Sequence, residues 1–419
     1  MCLDPGDSVT PEAPRPRRRL VLRGFFYYLN GPMKPIILLV ITVLIARGLS
    51  AQPQVYALSG SVRDSATGKP IAAVSVFLNG TSKGTTTHDD GSFSLTGIPA
   101  GGYQLITSAI GYTTFQTEIN TSQLPSNLVV ALHSRASELA AVTVEPYMQN
   151  GWNKWGGTFS DYFIGTGDNA TSCTIENKEV LRFRYDRKSK RLLVSAAEPL
   201  IIDNNALGYI IEYHFGTFSY NFSDGQLRFY GFVFFREMTP TYAGQQRVWE
   251  KARQRAYLGS MIHFMRSLYH GRIKQEGFLI LHQVKKQNTE KERVKAIYDP
   301  ATAGTGGISP DSLRYYRKVL REPDYFMRTL NNYDTLLTVN ADHSRSFSFN
   351  GIFTVGYANA PLGIPNTSSS IELIYPVSLR IEENGTYTPL QILLWRGAWA
   401  RTETVANYVP NDYTPPPLP

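Results

Sequence analysis

The sequence predicts a mainly β protein, in which a small N-terminal β-sandwich precedes a larger α+β domain with antiparallel sheet and one long helix. Three observations lead to this prediction. Turn signals recur about every 8 to 12 residues over residues 54–133, alternating apolar and polar runs fill residues 179–236, and residues 244–269 change to a helical period. The 25 tyrosines and 21 phenylalanines among 419 residues also favour β structure.

The N-terminal segment, residues 54–133, alternates short β-type runs with turn residues, which is typical of an antiparallel sandwich. Asp90-Gly91 predicts a tight hairpin turn between the runs TTT and SFSL. The stretch from Pro99 to Gly102 predicts the next connection. None of these features indicates chemistry in this segment.

The order of these motifs resembles the transthyretin-like, or carboxypeptidase regulatory-like, domain that follows metallocarboxypeptidase catalytic domains. It is equally similar to the N-terminal extension of TonB-dependent outer-membrane importers. The resemblance covers residues 57–133 and rests on a G-x-V-x-D opening, a G-x-P turn, T-x-x-D-G-x-F, P-A-G-x-Y and a final I-G-Y. It implies a seven-stranded sandwich without catalytic residues of its own, in an envelope protein of Gram-negative type.

The activities of both families are excluded for this chain. A zinc carboxypeptidase needs a histidine followed three residues later by glutamate, and none of the seven histidines has that neighbour. An importer needs a plug and a very large barrel, for which the residues after the sandwich are too few. The resemblance therefore implies the regulatory-like sandwich alone.

The second region contains three predicted hairpins. Residues 186–190, Asp224-Gly225 and Asn384-Gly385 each lie between alternating runs and carry turn residues. The long strands on both sides of the first two turns are rich in aromatic residues, which predicts a sheet with a buried face.

Two helices are predicted in the same region. The first is one long helix from Gly244 to Tyr269, ended by Gly271, and the second covers 310–321 with Ser309 as its N-cap. The run AYLGSMIHFMRSLYHGRIKQEGF, which begins in the first helix and continues to residue 278, resembles, with the sheet before it, a region found beside this same sandwich in exported envelope proteins. That resemblance implies no reaction.

The N-terminal 51 residues read as a leader. The uncharged apolar run at 36–46 is shorter than the roughly 20 apolar residues that a transmembrane helix needs. A basic start and small residues predict a secretory signal cleaved after Ala51, with translation starting at Met1 or Met33. The alternative is an uncleaved helix near 25–46 that associates the protein with a membrane.

Charge divides unequally along the chain. The formal charge is +8, but the leader holds seven basic and three acidic residues, so the remainder carries +4. The case for a nucleic-acid partner is therefore weak. Removing the leader also removes Cys2 and leaves Cys173, which we expect to behave as a small apolar residue.

The predicted domain boundaries are 1–51 (leader), 54–133 (sandwich), 134–146 (connector), 147–410 (α+β domain) and 411–419 (Pro-rich tail).

Four residues are the candidates for a surface or cleft site. His263 and His270 lie two helical turns apart and could share a face with Tyr257 and Arg266. Because no third ligand stands at matching spacing, we predict no metal site, no cofactor and no catalytic residue. The basic residues at 186–191 lie at a hairpin turn and are interpreted as a solvated turn.

The sequence favours a non-catalytic binding or scaffolding module exported to the periplasm or outer membrane. The partner would be an envelope protein, a peptide or a glycan. The alternative is an envelope hydrolase acting on peptides or glycans, for which scattered carboxylates and aromatic rings are the only support. These residues are Glu176, Glu179, Glu198, Asp203, Trp152, Trp155, Trp395 and Trp399.

Overall fold

The computed structural model describes residues 54–135, 147–196, 198–285, 288–299, 308–330, 332–358 and 368–416. From Val55 onward these residues belong to one compact unit. The predicted leader, its cleavage site, nearly all of the predicted connector and the end of the Pro-rich tail lie outside the described residues. The described part is mainly β, with several antiparallel sheets and few helices, as predicted.

Seven strands form the N-terminal sandwich: β1 (Val55–Asp64), β2 (Ser75–Leu78), β3 (Gly84–Thr86), β4 (Ser92–Pro99), β5 (Gly102–Ser108), β6 (Phe115–Asn120) and β7 (Leu128–Leu132). One sheet has the order β4-β1-β7, with β7 parallel to β1, and the other has the order β3-β2-β5-β6. The two inner faces share one core that includes Leu58, Val76, Phe93 and Leu105. Alternation along each strand produces this core, since every second side chain points to the same face.

The turn at Asp90-Gly91 differs from the predicted hairpin. It connects β3 to β4, and these strands lie in different sheets, so the turn carries the chain across the sandwich. The backbone N–H of Val62 donates to the Gly91 carbonyl at 2.8 Å, which fixes β4 beside β1. Gly91 has a φ of +74°, and a Cβ there would lie 2.6 Å from the Val62 oxygen, so the position favours glycine.

The second region begins with a helix and a six-stranded sheet. Its elements are α1 (Gly151–Phe163), β8 (Cys173–Ile175), β9 (Leu181–Asp186), β10 (Arg191–Ala196), β11 (Leu200–Asn204), β12 (Tyr209–Asn221) and β13 (Leu227–Glu237). One edge of β12 pairs with β11 and then β10, and the other edge pairs with β13 along its length. The predicted hairpins at 186–190 and Asp224-Gly225 are confirmed. Helix α1 packs on this sheet through Phe159 and Phe163.

The predicted long helix is divided in two. Helix α2 (Gln245–Tyr257) and helix α3 (Met261–Tyr269) are separated at Gly259, whose φ is +78°. A Cβ at Gly259 would lie 2.7 Å from Cδ1 of Tyr357, so the backbone approaches this ring closely. Ser260 then starts the second helix by accepting a hydrogen bond from the His263 N–H. The prediction of one continuous helix is therefore wrong at this break.

Two further sheets complete the described chain. The remaining elements are β14 (Phe278–Lys285), α4 (Thr289–Ile297), α5 (Pro310–Arg321), β15 (Tyr325–Thr329), β16 (Leu337–Val339), β17 (Arg345–Phe347), β18 (Ile352–Tyr357), β19 (Ser368–Leu373), β20 (Leu379–Ile381), β21 (Tyr387–Thr388), β22 (Leu393–Gly397) and α6 (Trp399–Thr402). The sheets have the orders β15-β14-β18-β19-β22 and β16-β17-β20-β21. Helix α3 contributes Phe264, Met265 and Leu268 to their core, and each such side chain stabilises the fold by about 1.5–3 kcal/mol. The Ser309 cap and helix α5 are confirmed.

Candidate functional site

Three of the four predicted site residues meet beside the break between α2 and α3. The rings of Tyr257 and His263 are 4.7 Å apart, and the Arg266 guanidinium lies 5.4 Å from the Tyr257 ring centre. His263 is 2% exposed and Tyr257 is also buried, so these two side chains lie in the interior rather than at the surface. His270 follows the last residue of α3 and contacts the Tyr269 ring.

The partners of His263 give it a structural role. The Gly259 N–H donates to Nδ1 at 3.0 Å, so Nε2 carries the proton and faces Glu276 Oε2 at 3.3 Å. Burial lowers the pKa of His263, although the Glu276 carboxylate opposes this shift. The neutral ring of His263 therefore connects the backbone at the helix break, Gly259, to the side chain of Glu276. Within the ranges that the structure describes, no group of three or more His, Cys, Asp or Glu residues could hold a metal ion.

Arg266 holds the C-terminal segment in place. Its guanidinium donates to the carbonyl oxygens of Asn384 at 2.9 Å, Asn411 at 2.8 Å and Tyr413 at 2.9 Å. These three carbonyls belong to two separate parts of the chain. The start of the Pro-rich tail is consequently fixed against helix α3, because two charge-assisted bonds from Arg266 reach it.

The sandwich is joined to the large sheet by backbone hydrogen bonds. The Gly80 N–H donates to the Val233 oxygen at 2.7 Å, and the Phe235 N–H donates to the Thr81 oxygen at 3.0 Å. The side chain of Asn79 accepts from the Val233 N–H at 2.8 Å. The connection between β2 and β3 therefore continues the sheet beside β13, in a parallel bridge.

The C-terminal segment closes the same junction. The Asn411 N–H donates to the Gly80 oxygen at 2.6 Å. Ser82 donates twice to the Asp412 carboxylate, from its N–H at 2.9 Å and from its hydroxyl at 2.5 Å. We call the contacts of residues 79–83 with β13 and residues 411–412 the seam. Sandwich, large sheet and C-terminal segment thus meet along one set of hydrogen bonds.

A cavity of about 170 Å³ lies between the sandwich and the large sheet. Ser75, Ser108 and Thr114 line it from the sandwich, and Glu198 and His214 line it from the second region. His214 is 5% exposed, and its Nδ1 lies 3.1 Å from the Ser108 hydroxyl. Among the described residues its Nε2 has no hydrogen-bond partner. Burial lowers the pKa of His214 to about 4, so the ring is neutral at pH 7.

Five aromatic side chains form a partly exposed group where α1 passes the tips of two hairpins. Trp155 stacks on Tyr185 with ring centres 5.0 Å apart, and Tyr162 stacks on Tyr220 at 4.1 Å. Phe222 contacts the rings of Trp155, Tyr185 and Tyr220 at 5.4, 5.9 and 4.8 Å. We call this group the aromatic corner. It is an apolar surface held by ring packing.

The four predicted site residues lie neither at the cavity nor in the aromatic corner, whereas two residues named for the hydrolase alternative do, since Glu198 lines the cavity and Trp155 belongs to the corner. Ser108 and His214 are 106 positions apart, so only the docking of the two regions brings them together. The sequence indicates the aromatic corner only weakly, because Trp152 and Trp155 are candidates either for stacking on sugars or for packing in the core. Of the other two tryptophans in that group, Trp399 is buried in the core and Trp395 packs against it.

Comparisons with known proteins identify the N-terminal part. Residues 58–144 match the family model of the CarboxypepD_reg-like domain. No curated protein matches the chain. A solved structure from Bacteroides fragilis, described as membrane-associated and of unknown function, is 12% identical, with a TM-score of 0.16 and a match covering 80% of this chain and 92% of that chain.

A second solved structure is a 9R-lipoxygenase from Cyanothece. It is 11% identical, has a TM-score of 0.13, and the match covers 52% of this chain and 49% of that chain. Both TM-scores are too low to carry an argument about fold or function. The family match and the seven strands agree with each other, and the N-terminal sandwich is a carboxypeptidase regulatory-like domain.

Proposed function

We propose that the protein is a non-catalytic binding and scaffolding module of the cell envelope. The observation that carries this proposal is the seam, which fixes the regulatory-like sandwich to the larger region. Neighbouring domains in one chain usually move relative to each other unless their interface is extensive. Here backbone bonds from Gly80 and Phe235, together with the Asp412 carboxylate, resist such motion.

A fixed arrangement suits a scaffold because it presents the surfaces of both regions in one constant geometry. Each buried hydrogen bond contributes about 0.5–1.5 kcal/mol, and bonds to a charged group contribute more. The seam combines backbone bonds with the two bonds that Ser82 makes to Asp412. Binding partners would therefore meet a rigid body.

The hydrolase alternative has one specific observation in its favour, which is the Ser108–His214 hydrogen bond inside the cavity. A nucleophilic serine needs a histidine base that a third group orients. Among the described residues, Nε2 of His214 has no such partner, and a pKa of about 4 makes the ring a weak base. The geometry therefore favours a structural pair over a catalytic one.

The envelope location is supported by the leader predicted for the first 51 residues. Within the described ranges, no helix has both the length and the hydropathy of a membrane span. N-terminal sequencing of the protein recovered from an envelope fraction tests the location. We expect a first residue at or near Gln52, and recovery of the protein only from the cytoplasm would contradict the proposal.

The non-catalytic character is tested with panels of envelope peptides and glycans. We expect no turnover by the purified protein. Ser108→Ala and His214→Asn are the informative variants, and Ser94→Ala, an exposed serine on the same sandwich, is the matched control. Turnover that disappears in Ser108→Ala and persists in Ser94→Ala would establish the hydrolase instead.

A further inference from the structure

The aromatic corner projects at two hairpin tips that are tied together. The Phe222 N–H donates to the Lys190 oxygen at 3.0 Å, which joins the β12–β13 tip to the β9–β10 tip. Phe222 is 41% exposed and has no polar atom in its side chain. The apolar ring of Phe222 is therefore exposed to water at the end of a rigid projection. This exposure is unfavourable unless a binding partner covers the ring.

The corner is surrounded by basic side chains. Lys154 lies 5.3 Å from the Trp155 ring centre on α1, and Arg187, Lys188 and Lys190 are exposed in the adjoining turn. Of these four, Lys188 interacts electrostatically with the carboxylate of Asp186. The nearby Asp186 is engaged by the turn itself, since its carboxylate accepts from the Lys188 N–H at 2.8 Å and from the Ser189 hydroxyl at 2.6 Å.

The opposite face of the same strands is also basic. Arg184 and Arg228 flank the row formed by Leu193 and Ser219, and Arg191 begins β10. Asp224 at the second tip is held by the Gln226 N–H and by Asn221. Asp186 and Asp224 keep their negative charge but are outnumbered by Lys154, Arg187, Lys188, Lys190 and Arg228, so this end of the sheet has net positive charge and a complementary partner is negatively charged.

We propose that the aromatic corner docks on an anionic lipid surface, with Phe222 entering the headgroup layer and the surrounding lysines and arginines contacting lipid phosphates. Tryptophan and tyrosine are enriched where membrane and water meet. Basic side chains near an anionic leaflet add attraction that salt weakens. This inference is independent of the proposed scaffolding function.

Ring geometry favours a lipid surface over a glycan or a nucleic acid. Sugars and bases bind aromatic residues through an open ring face. Trp155 is stacked on Tyr185 with an interplanar angle of 23°, and Tyr162 is stacked on Tyr220 at 25°, so one face of each of these rings is covered by its partner. Nε1 of Trp155 is buried, and the Tyr162 hydroxyl donates to the Tyr220 hydroxyl at 2.7 Å, so the exposed Phe222 is the ring that suits insertion among lipids.

The test uses the full chain with phosphatidylcholine vesicles, prepared with and without phosphatidylglycerol. We expect binding to the anionic vesicles to fall at least tenfold in Arg187→Glu/Lys188→Glu and several-fold in Phe222→Ser. The matched controls are Arg247→Glu/Lys251→Glu, two exposed basic residues on α2, and Tyr242→Ser, an aromatic residue that is 60% exposed. Both controls should bind as the wild type does. Equal binding by the corner variants and the wild type would overturn the proposal.

A second measurement distinguishes lipid binding by the aromatic corner from lipid binding by any other part of the chain. Acyl-brominated lipids quench tryptophans that enter the membrane, and we expect Trp155→Phe to remove most of the quenching. Quenching that persists unchanged in Trp155→Phe would contradict insertion of the corner. Binding to a soluble polyanionic glycan, without binding to anionic vesicles, would also overturn the lipid assignment.

Discussion

At the scale of single residues, the pKa of His214 depends on its buried surroundings. The imidazole ring lies between the sandwich and the large sheet, 4.9 Å from the Phe77 ring. Burial alone lowers its pKa to about 4. A charged imidazole is therefore incompatible with this position, so the junction depends on the neutral ring.

The lowered pKa of His214 makes the stability of the fold depend on pH. Because the pKa of His214 is lower in the folded chain than its ordinary value of 6.5, the unfolded chain binds protons first. The contribution is fully present above pH 6.5 and is lost as pH falls toward 4, by up to about 3 kcal/mol. Urea unfolding of His214→Gln between pH 7 and pH 4 should show a smaller loss than the wild type. His88→Gln, at an exposed histidine, should keep the wild-type loss.

Glu403 has the opposite dependence. Its carboxylate accepts from the Met261 N–H at 2.8 Å at the start of α3, but burial raises its pKa to about 7. Since the raised pKa favours the protonated form, stability is greatest below pH 4.5 and decreases as pH rises through 7. Glu403→Gln should remove this decrease in urea unfolding, and Glu118→Gln, at an exposed glutamate, should preserve it. A wild-type slope in Glu403→Gln would contradict the assignment.

At the scale of elements, the break at Gly259 decides how α2 and α3 are placed. Gly259→Ala combines a left-handed backbone with a contact of 2.7 Å to Tyr357, so we expect a loss of about 2 kcal/mol or more. Gly157→Ala in α1 is the matched control, since a methyl group there would meet no atom within 4 Å and the backbone is helical. It should stabilise by about 0.5–1 kcal/mol. Thermal unfolding of both variants measures the difference.

Elements with strong local signals are predictable from the sequence. Ser309 and Pro310 mark the start of α5, and Asp224-Gly225 marks the hairpin between β12 and β13. Helix α1 is not predicted, because its glycines and aromatic residues hide the helical pattern. The prediction of a hairpin at Gly91 is wrong, because the same turn chemistry can join strands of one sheet or of two.

The site is less predictable than the fold, because it depends on distant contacts. The spacing of His263 and Arg266 on one helix makes them candidates, and the structure uses them to fix the helix break and the C-terminal segment. The seam joins Ser82 to Asp412, which are 330 positions apart. No local pattern encodes such a pairing, since it arises only when separately folded elements pack.

At the scale of the whole molecule, Asp412 links the end of the chain to the sandwich. Asp412→Ala removes the acceptor of two bonds from Ser82, so we expect a loss of about 1–3 kcal/mol. Asp89→Ala, at an exposed turn residue, should change the free energy of unfolding by less than about 0.5 kcal/mol. Urea unfolding of both variants at pH 7 makes this comparison. Equal stability of the two variants would show that the contact of the C-terminal segment contributes nothing.

We propose that the seam joins the sandwich and the larger region into one rigid body. All five tryptophans follow residue 147, so their fluorescence reports on unfolding of the larger region. Pulse-labelling hydrogen exchange of β1 to β7, measured by mass spectrometry at increasing urea, reports on the sandwich. We predict one shared unfolding midpoint, with the Phe235 amide protected until that midpoint. Two separate midpoints, or early exchange at Phe235, would contradict a rigid scaffold.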